Sequence, residues 1–189
     1  MTPITPQLVA RLAFLALTVT LLQIAAVSQV QIFGVTADLL PLVVMAAALM
    51  CGSLTGATFG FFVGLFADTA LVQTLGLSSL VYVAAGYAVG RTRELRDPQG
   101  TLVPLVAGAA ATTIALVGYA LMQFLLGVDA PVSVYLIRET LATIVLDTIL
   151  AVPIYAVVRR WLLPALPDDP RRRRRRAYTT GGLSPLSRA

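Results

Sequence analysis

The 189-residue chain contains no histidine and no lysine, and cysteine occurs once, at Cys51. Without histidine there is neither the usual general base at neutral pH nor the commonest metal ligand. A lone cysteine excludes an intrachain disulfide and any thiol pair for redox chemistry or metal binding. Neither a Gly-x-Ser-x-Gly nucleophile turn nor a phosphate-binding glycine loop is present. Chemistry would have to rest on Asp, Glu and water, so the chain reads as a non-enzyme with no cofactor and no metal. Charge is scarce as well, at 12% of residues, where a soluble domain carries about 25%. The absence of lysine fits a GC-rich coding bias and carries no mechanistic weight.

What is present is apolar. Hydrophobic residues make up 58% of the chain and the mean hydropathy is +0.85, values of an integral membrane protein. Charge-poor runs cover residues 12–30, 39–50, 53–72, 75–90, 102–126 and 136–158. The expected fold is therefore all-α: a polytopic membrane protein built as a compact bundle of six transmembrane helices. The second and fourth runs are the shortest against the roughly 20 residues that cross a bilayer. The first run lacks a small-residue cleavage site before more apolar sequence and reads as a retained span. Two regions follow: a six-helix domain over 1–163, and a Pro- and Arg-rich tail over 164–189 that is expected to be disordered.

Arginine placement sets the expected orientation, since short basic loops stay cytoplasmic. Arg11 precedes the first run; Arg91, Arg93 and Arg96 lie between the fourth and fifth; Arg159, Arg160 and Arg171 to Arg176 follow the sixth. With six crossings these regions share one side. The reading is a bacterial inner-membrane protein with both termini cytoplasmic.

Gly52, Gly56, Gly60, Gly64 and Asp68 stand four apart. On a helix that spacing makes a smooth ridge about 24 Å long at roughly 1.5 Å per residue. In lipid, helix association depends on close fit and hydrogen bonds, which such a ridge favours. Tyr82, Gly86 and Gly90 repeat the spacing one run later, so the third run is expected to pack on the fourth. Asp68, at the outer end, is read as a solvated or helix-capping carboxylate, with a binding role as the alternative. Asp147 lies mid-run, with Thr143 one turn before it and Ala151 one turn after. It should face the bundle interior, where Gln23, Gln123 and threonine hydroxyls are candidate donors. Interhelical hydrogen bonding is its structural reading; proton coupling, substrate contact or partner recognition is the functional one. Pro153 should bend the same helix.

After Trp161 three prolines precede Arg171, Arg172, Arg173, Arg174, Arg175 and Arg176. Six clustered cations beside a membrane are attracted to anionic lipid, at about 1 kcal/mol each. No stacking aromatics or folded reader accompany them, which argues against nucleic acid.

The order Gly64, Leu65, Asp68, then Gly76, then Gly86, Tyr87, Gly90, Arg91 resembles the MreD family of bacterial rod shape-determining membrane proteins. In that family a glycine-rich helix closes with Gly-Leu-x-x-Asp, a short turn holds a Gly, and the next helix ends Gly-Tyr-x-x-Gly-Arg. The resemblance implies a non-enzymatic scaffold or regulator of peptidoglycan synthesis in the cell-elongation machinery. Its implied partners are MreC, MreB and the RodA and penicillin-binding protein synthase. It also implies a fold like the substrate-binding subunits of energy-coupling-factor transporters. Candidate partner-contact or polar-network residues are Asp68, Tyr87, Arg91, Gln123 and Asp147. The alternative function is a solute-binding membrane subunit of a vitamin transporter, using Tyr82, Tyr119, Gln123 and Asp147. An aspartyl hydrolase using Asp68 and Asp147 is weaker, because those positions fall at different depths.

Overall fold

A computed structural model describes residues 6–25, 31–32, 35–72, 74–95, 102–127 and 134–165. Six helices run along the chain: α1 Pro6–Ala25, α2 Leu39–Cys51, α3 Ser53–Ala70, α4 Leu77–Leu95, α5 Leu102–Leu125 and α6 Val134–Leu162. A 3-10 turn, Leu163–Ala165, follows α6. Between α1 and α2 lies a small antiparallel ribbon of β1, Gln31–Ile32, and β2, Val35–Thr36. The alternation of runs did not signal this ribbon.

The helices form a bundle around α2. This helix touches each of the other five, and twelve of its thirteen residues are buried. Its sequence, Leu39 to Cys51, is apolar on every face, as a helix surrounded by helices requires. Large apolar side chains such as Leu17, Phe62, Leu121, Phe124 and Ile149 instead point outward from the perimeter, toward the lipid.

The expectation of six membrane-crossing helices is corrected. Among the described residues three are long and apolar enough to cross, over Pro6–Ala25, Leu102–Leu125 and Arg138–Ala165. The physical reason differs for each of the others. Thirteen residues give α2 a length of about 20 Å, short of the roughly 30 Å hydrocarbon core. In α3 the glycines, Ser53, three threonines and Asp68 dilute the apolar content. In α4, Arg91, Arg93 and Glu94 occupy the last turns. In α3 the glycines, Ser53 and Asp68 face neighbouring helices, so part of what lowers its hydropathy is packing surface.

Gly52 alone separates α2 from α3. Its φ of 97° is a conformation that side chains disfavour, and its N–H closes α2 on the Ala48 carbonyl at 2.9 Å. The glycine row then lies in a backbone-to-backbone seam between α3 and α4. A Cβ at Gly56 would stand 2.9 Å from the Gly86 carbonyl oxygen and 2.5 Å from the Ala48 methyl. A Cβ at Gly60 would strike the Tyr82 carbonyl, one at Gly64 the backbone of Ser79, and one at Gly90 the backbone of Ser53. Gly52 sits at the end of the seam as a turn residue, its carbonyl carbon 2.8 Å from where a Gly90 Cβ would stand.

A second close approach, which the spacing argument did not single out, joins α5 to α6. Gly108 faces the Ala151 methyl with no room for a side chain. Its signal in the sequence was the row Ala107, Ala111, Ala115, all buried. At one end of the bundle the start of α1 meets the end of α6. Arg11 donates to the Trp161 carbonyl at 2.8 Å, and Phe14 stacks on the Trp161 ring at 5.8 Å.

Candidate functional site

The short central helix creates a problem at its own start. From Asp147 to the end of α6 at Leu162 is about 22 Å along the axis, close to the whole length of α2. The first turn of α2 therefore begins beside the middle of α6, inside the bundle. A helix start leaves four N–H groups without intrahelical partners, and a buried one left unpaired costs free energy comparable to a lost hydrogen bond.

The chain accounts for all four. Asp38, the N-cap, donates its own N–H to Asp147 Oδ1 of α6 at 3.1 Å. Leu39 donates to Gln23 Oε1 of α1 at 3.0 Å. Leu40 donates to the Asp38 side chain at 3.1 Å. The fourth position is Pro41, which has no N–H to satisfy. The Gln23 amide is itself fixed by donating to the Ala37 carbonyl at 3.1 Å. Asp147 completes its second oxygen with the Thr112 hydroxyl of α5 at 3.3 Å. The Tyr82 hydroxyl of α4 reaches Asp38 Oδ2 at 3.5 Å. Five helices thus meet at one polar knot in an apolar bundle.

Carboxylates suit this position because the partial positive charge of a helix N-terminus favours them. Asp38 lies in the connection before α2, and burial pushes its carboxyl up to about 6; the N–H of Leu40 and the Tyr82 hydroxyl oppose that rise. Asp147 is fully buried and held on two oxygens.

Asp68 performs a similar service for α4. It is 1% exposed and accepts the N–H of Gly76 at 2.8 Å and that of Ser78 at 3.3 Å. Gly76, at φ 92°, supplies the turn that brings those groups round. The Gly-Leu-x-x-Asp ending of α3 and the glycine of the turn are thus parts of one cap.

The structure brings Gln23 and Asp147 to the same knot, each taking a different N–H of the α2 start. Gln123 lies half-buried on α5 and makes no hydrogen bond among the described residues. Asp68 and Asp147 serve different helix starts. Tyr87 and Arg91 are exposed on α4. Arg171 to Arg176 lie outside the described residues, as does nearly all of the tail. Sequence reasoning did not single out Asp38; Thr112 is one of the threonine hydroxyls it considered as donors to Asp147. The signal for Asp38 was available: an Asp immediately before an apolar run with Pro at its third position is a helix-start pattern.

With these polar side chains engaged in holding helices, the interior offers positions for packing rather than for turnover. Comparison with known proteins agrees. Residues 5–163 match the family model described as MreD, rod shape-determining protein MreD, and the chain belongs to that family. It is a multi-pass, all-α membrane protein and a non-catalytic component of the rod-shape system. No curated protein matches the chain, and no solved structure does; the expected likeness to energy-coupling-factor subunits therefore has no matching structure behind it.

Proposed function

We propose that the chain is a membrane scaffold or regulator of the cell-elongation machinery, acting through helix contacts with partner proteins rather than through chemistry. The observation that carries this reading is the family match over residues 5–163. The packing supports it. The glycine side of α3 is used up within the bundle, and the opposite side presents Phe61, Phe62, Leu65 and Phe66, all exposed. A rigid aromatic ridge is a low-entropy surface for another transmembrane helix.

In this proposal the partners are MreC, MreB and the RodA and penicillin-binding protein pair. Residues 1–163 form the membrane domain and 164–189 a cytoplasmic tail whose six arginines rest on anionic lipid. Both termini face the cytoplasm, which the grouping of Arg11, Arg159 and Arg160 at one end of α1 and α6 supports. Photocrosslinking from Phe62 in native membranes tests the reading. Crosslinks to elongation proteins are expected; a scan of Phe61, Phe62 and Phe66 that yields no protein adduct counts decisively against it.

A further inference from the structure

Between α4 and α5 an open groove of about 400 Å³ is walled by Leu80, Ala84, Tyr87, Ile114, Gly118 and Met122. Its floor exists because Gly118 carries no side chain. A Cβ there would meet Val81 Cγ1 at 3.1 Å, so α5 rides close on α4 at this point. Apart from the Tyr87 hydroxyl the walls are apolar.

The two ends of the groove differ. At the end toward the C-terminus of α4, Tyr87 is 48% exposed, and its hydroxyl has no hydrogen-bond partner among the described residues. One turn further, on the same face, is Arg91, exposed and without an ion pair or hydrogen bond among the described residues. Among the described residues, an unpaired hydroxyl thus stands at one mouth of the apolar groove, with an unpaired cation one turn beyond it. The complementary ligand has a long apolar tail and an anionic head.

From Leu80 to Tyr87 the groove runs roughly 10 Å, long enough to seat part of an extended acyl chain, and the Arg91 cation beyond Tyr87 is the complement of an anionic head.

We infer that this groove is a binding site for an anionic phospholipid, whose acyl chain lies against Ala84 and Gly118 and whose phosphate is held by Arg91 with help from the Tyr87 hydroxyl. Arginine is suited to the head because its planar fork pairs with phosphate oxygens on two bonds. The site is separate from the aromatic ridge of α3.

A photoreactive amino acid at Ala84, an exposed position, tests this in the full chain reconstituted in vesicles of equal phosphatidylcholine and phosphatidylglycerol. Mass spectrometry of the adducts should show phosphatidylglycerol over phosphatidylcholine by tenfold or more. Arg91→Gln should bring that ratio near one, whereas replacing Arg171 to Arg176 by Gln should leave it unchanged. Equal capture of both lipids by the parent chain, or a preference that survives Arg91→Gln, overturns the proposal. So does a preference lost only with the tail arginines. The same probe in native membranes should again capture lipid, and a predominant polypeptide adduct would identify the groove as a protein interface instead.

Discussion

Asp147 Oδ1 accepts the backbone N–H of Asp38 at 3.1 Å across 109 residues of sequence. That bond joins the middle of α6 to the start of α2, the helix that touches all five others. Replacing Asp147 by Leu orphans both this N–H and the Thr112 hydroxyl. Each buried unpaired group costs about 1–3 kcal/mol, so a loss of several kcal/mol is expected in denaturant titration of the detergent-solubilised protein. Asp147→Asn keeps an acceptor oxygen and should lose less. A Leu variant as stable as the parent would remove Asp147 from the capping role.

The Asp38 carboxyl gives stability a pH dependence of defined sign. Its value rises from 3.8 to about 6 on folding, so between those limits the native state binds more protons than the unfolded chain. Stability is therefore greatest below about pH 4, falls as pH rises to about 6, and is flat beyond for this group. A shift of that size corresponds to a fall of at most about 3 kcal/mol, reduced by the partial exposure of Asp38 to solvent screening. Gln23, Tyr82 and Asp147 face the same knot, so melting profiles should be compared with those of Asp38→Asn, which should lack this contribution.

In the α3–α4 seam, Gly60→Ala places a methyl against the Tyr82 carbonyl. Overpacking of this kind costs about 1–3 kcal/mol, and Gly60→Leu should prevent a monodisperse fold. Ser79 lies in the same seam, and its hydroxyl, buried, has no partner among the described residues. Ser79→Ala should therefore be neutral or stabilising, and size-exclusion behaviour with melting temperature distinguishes the two sites.

Asp68→Ala should release the amides of Gly76 and Ser78, which it now holds. Losing an N-terminal cap costs about 0.5–2 kcal/mol. Hydrogen exchange should accelerate at those two amides before it does in the middle of α4. Unchanged protection there would show that α4 starts without Asp68.

Val72 has a φ of 54° and is 92% exposed. A β-branched side chain is a poor occupant of that left-handed region, and Asn tolerates it. Val72→Asn should raise the melting temperature slightly without altering any contact, whereas Val72→Ile should not.

The positions of the six helices were legible because charge, Pro and Gly punctuate the apolar runs. Gly56, Gly60 and Gly64 were legible as a ridge because a four-residue step needs only helical geometry. How many helices cross the membrane was not legible in the same way. Run boundaries treat Gly, Ser and Ala as apolar filler, while in α3 these residues line a seam with α4, and α2 is too short to span. The partners of Asp147 were legible only in part: a threonine hydroxyl was among the donors considered and Thr112 supplies one, whereas the backbone N–H of Asp38 was not considered.

By itself the sequence determined the membrane class, the helix order and the smooth face of α3, since each follows from composition or from spacing along one helix. Tertiary structure alone decided that α2 is the buried centre, that Gln23, Asp38 and Asp147 share its start, and that Tyr87 and Gly118 line one groove. Those relationships join residues far apart in the chain, and only the packing of one helix against another sets the distance between them.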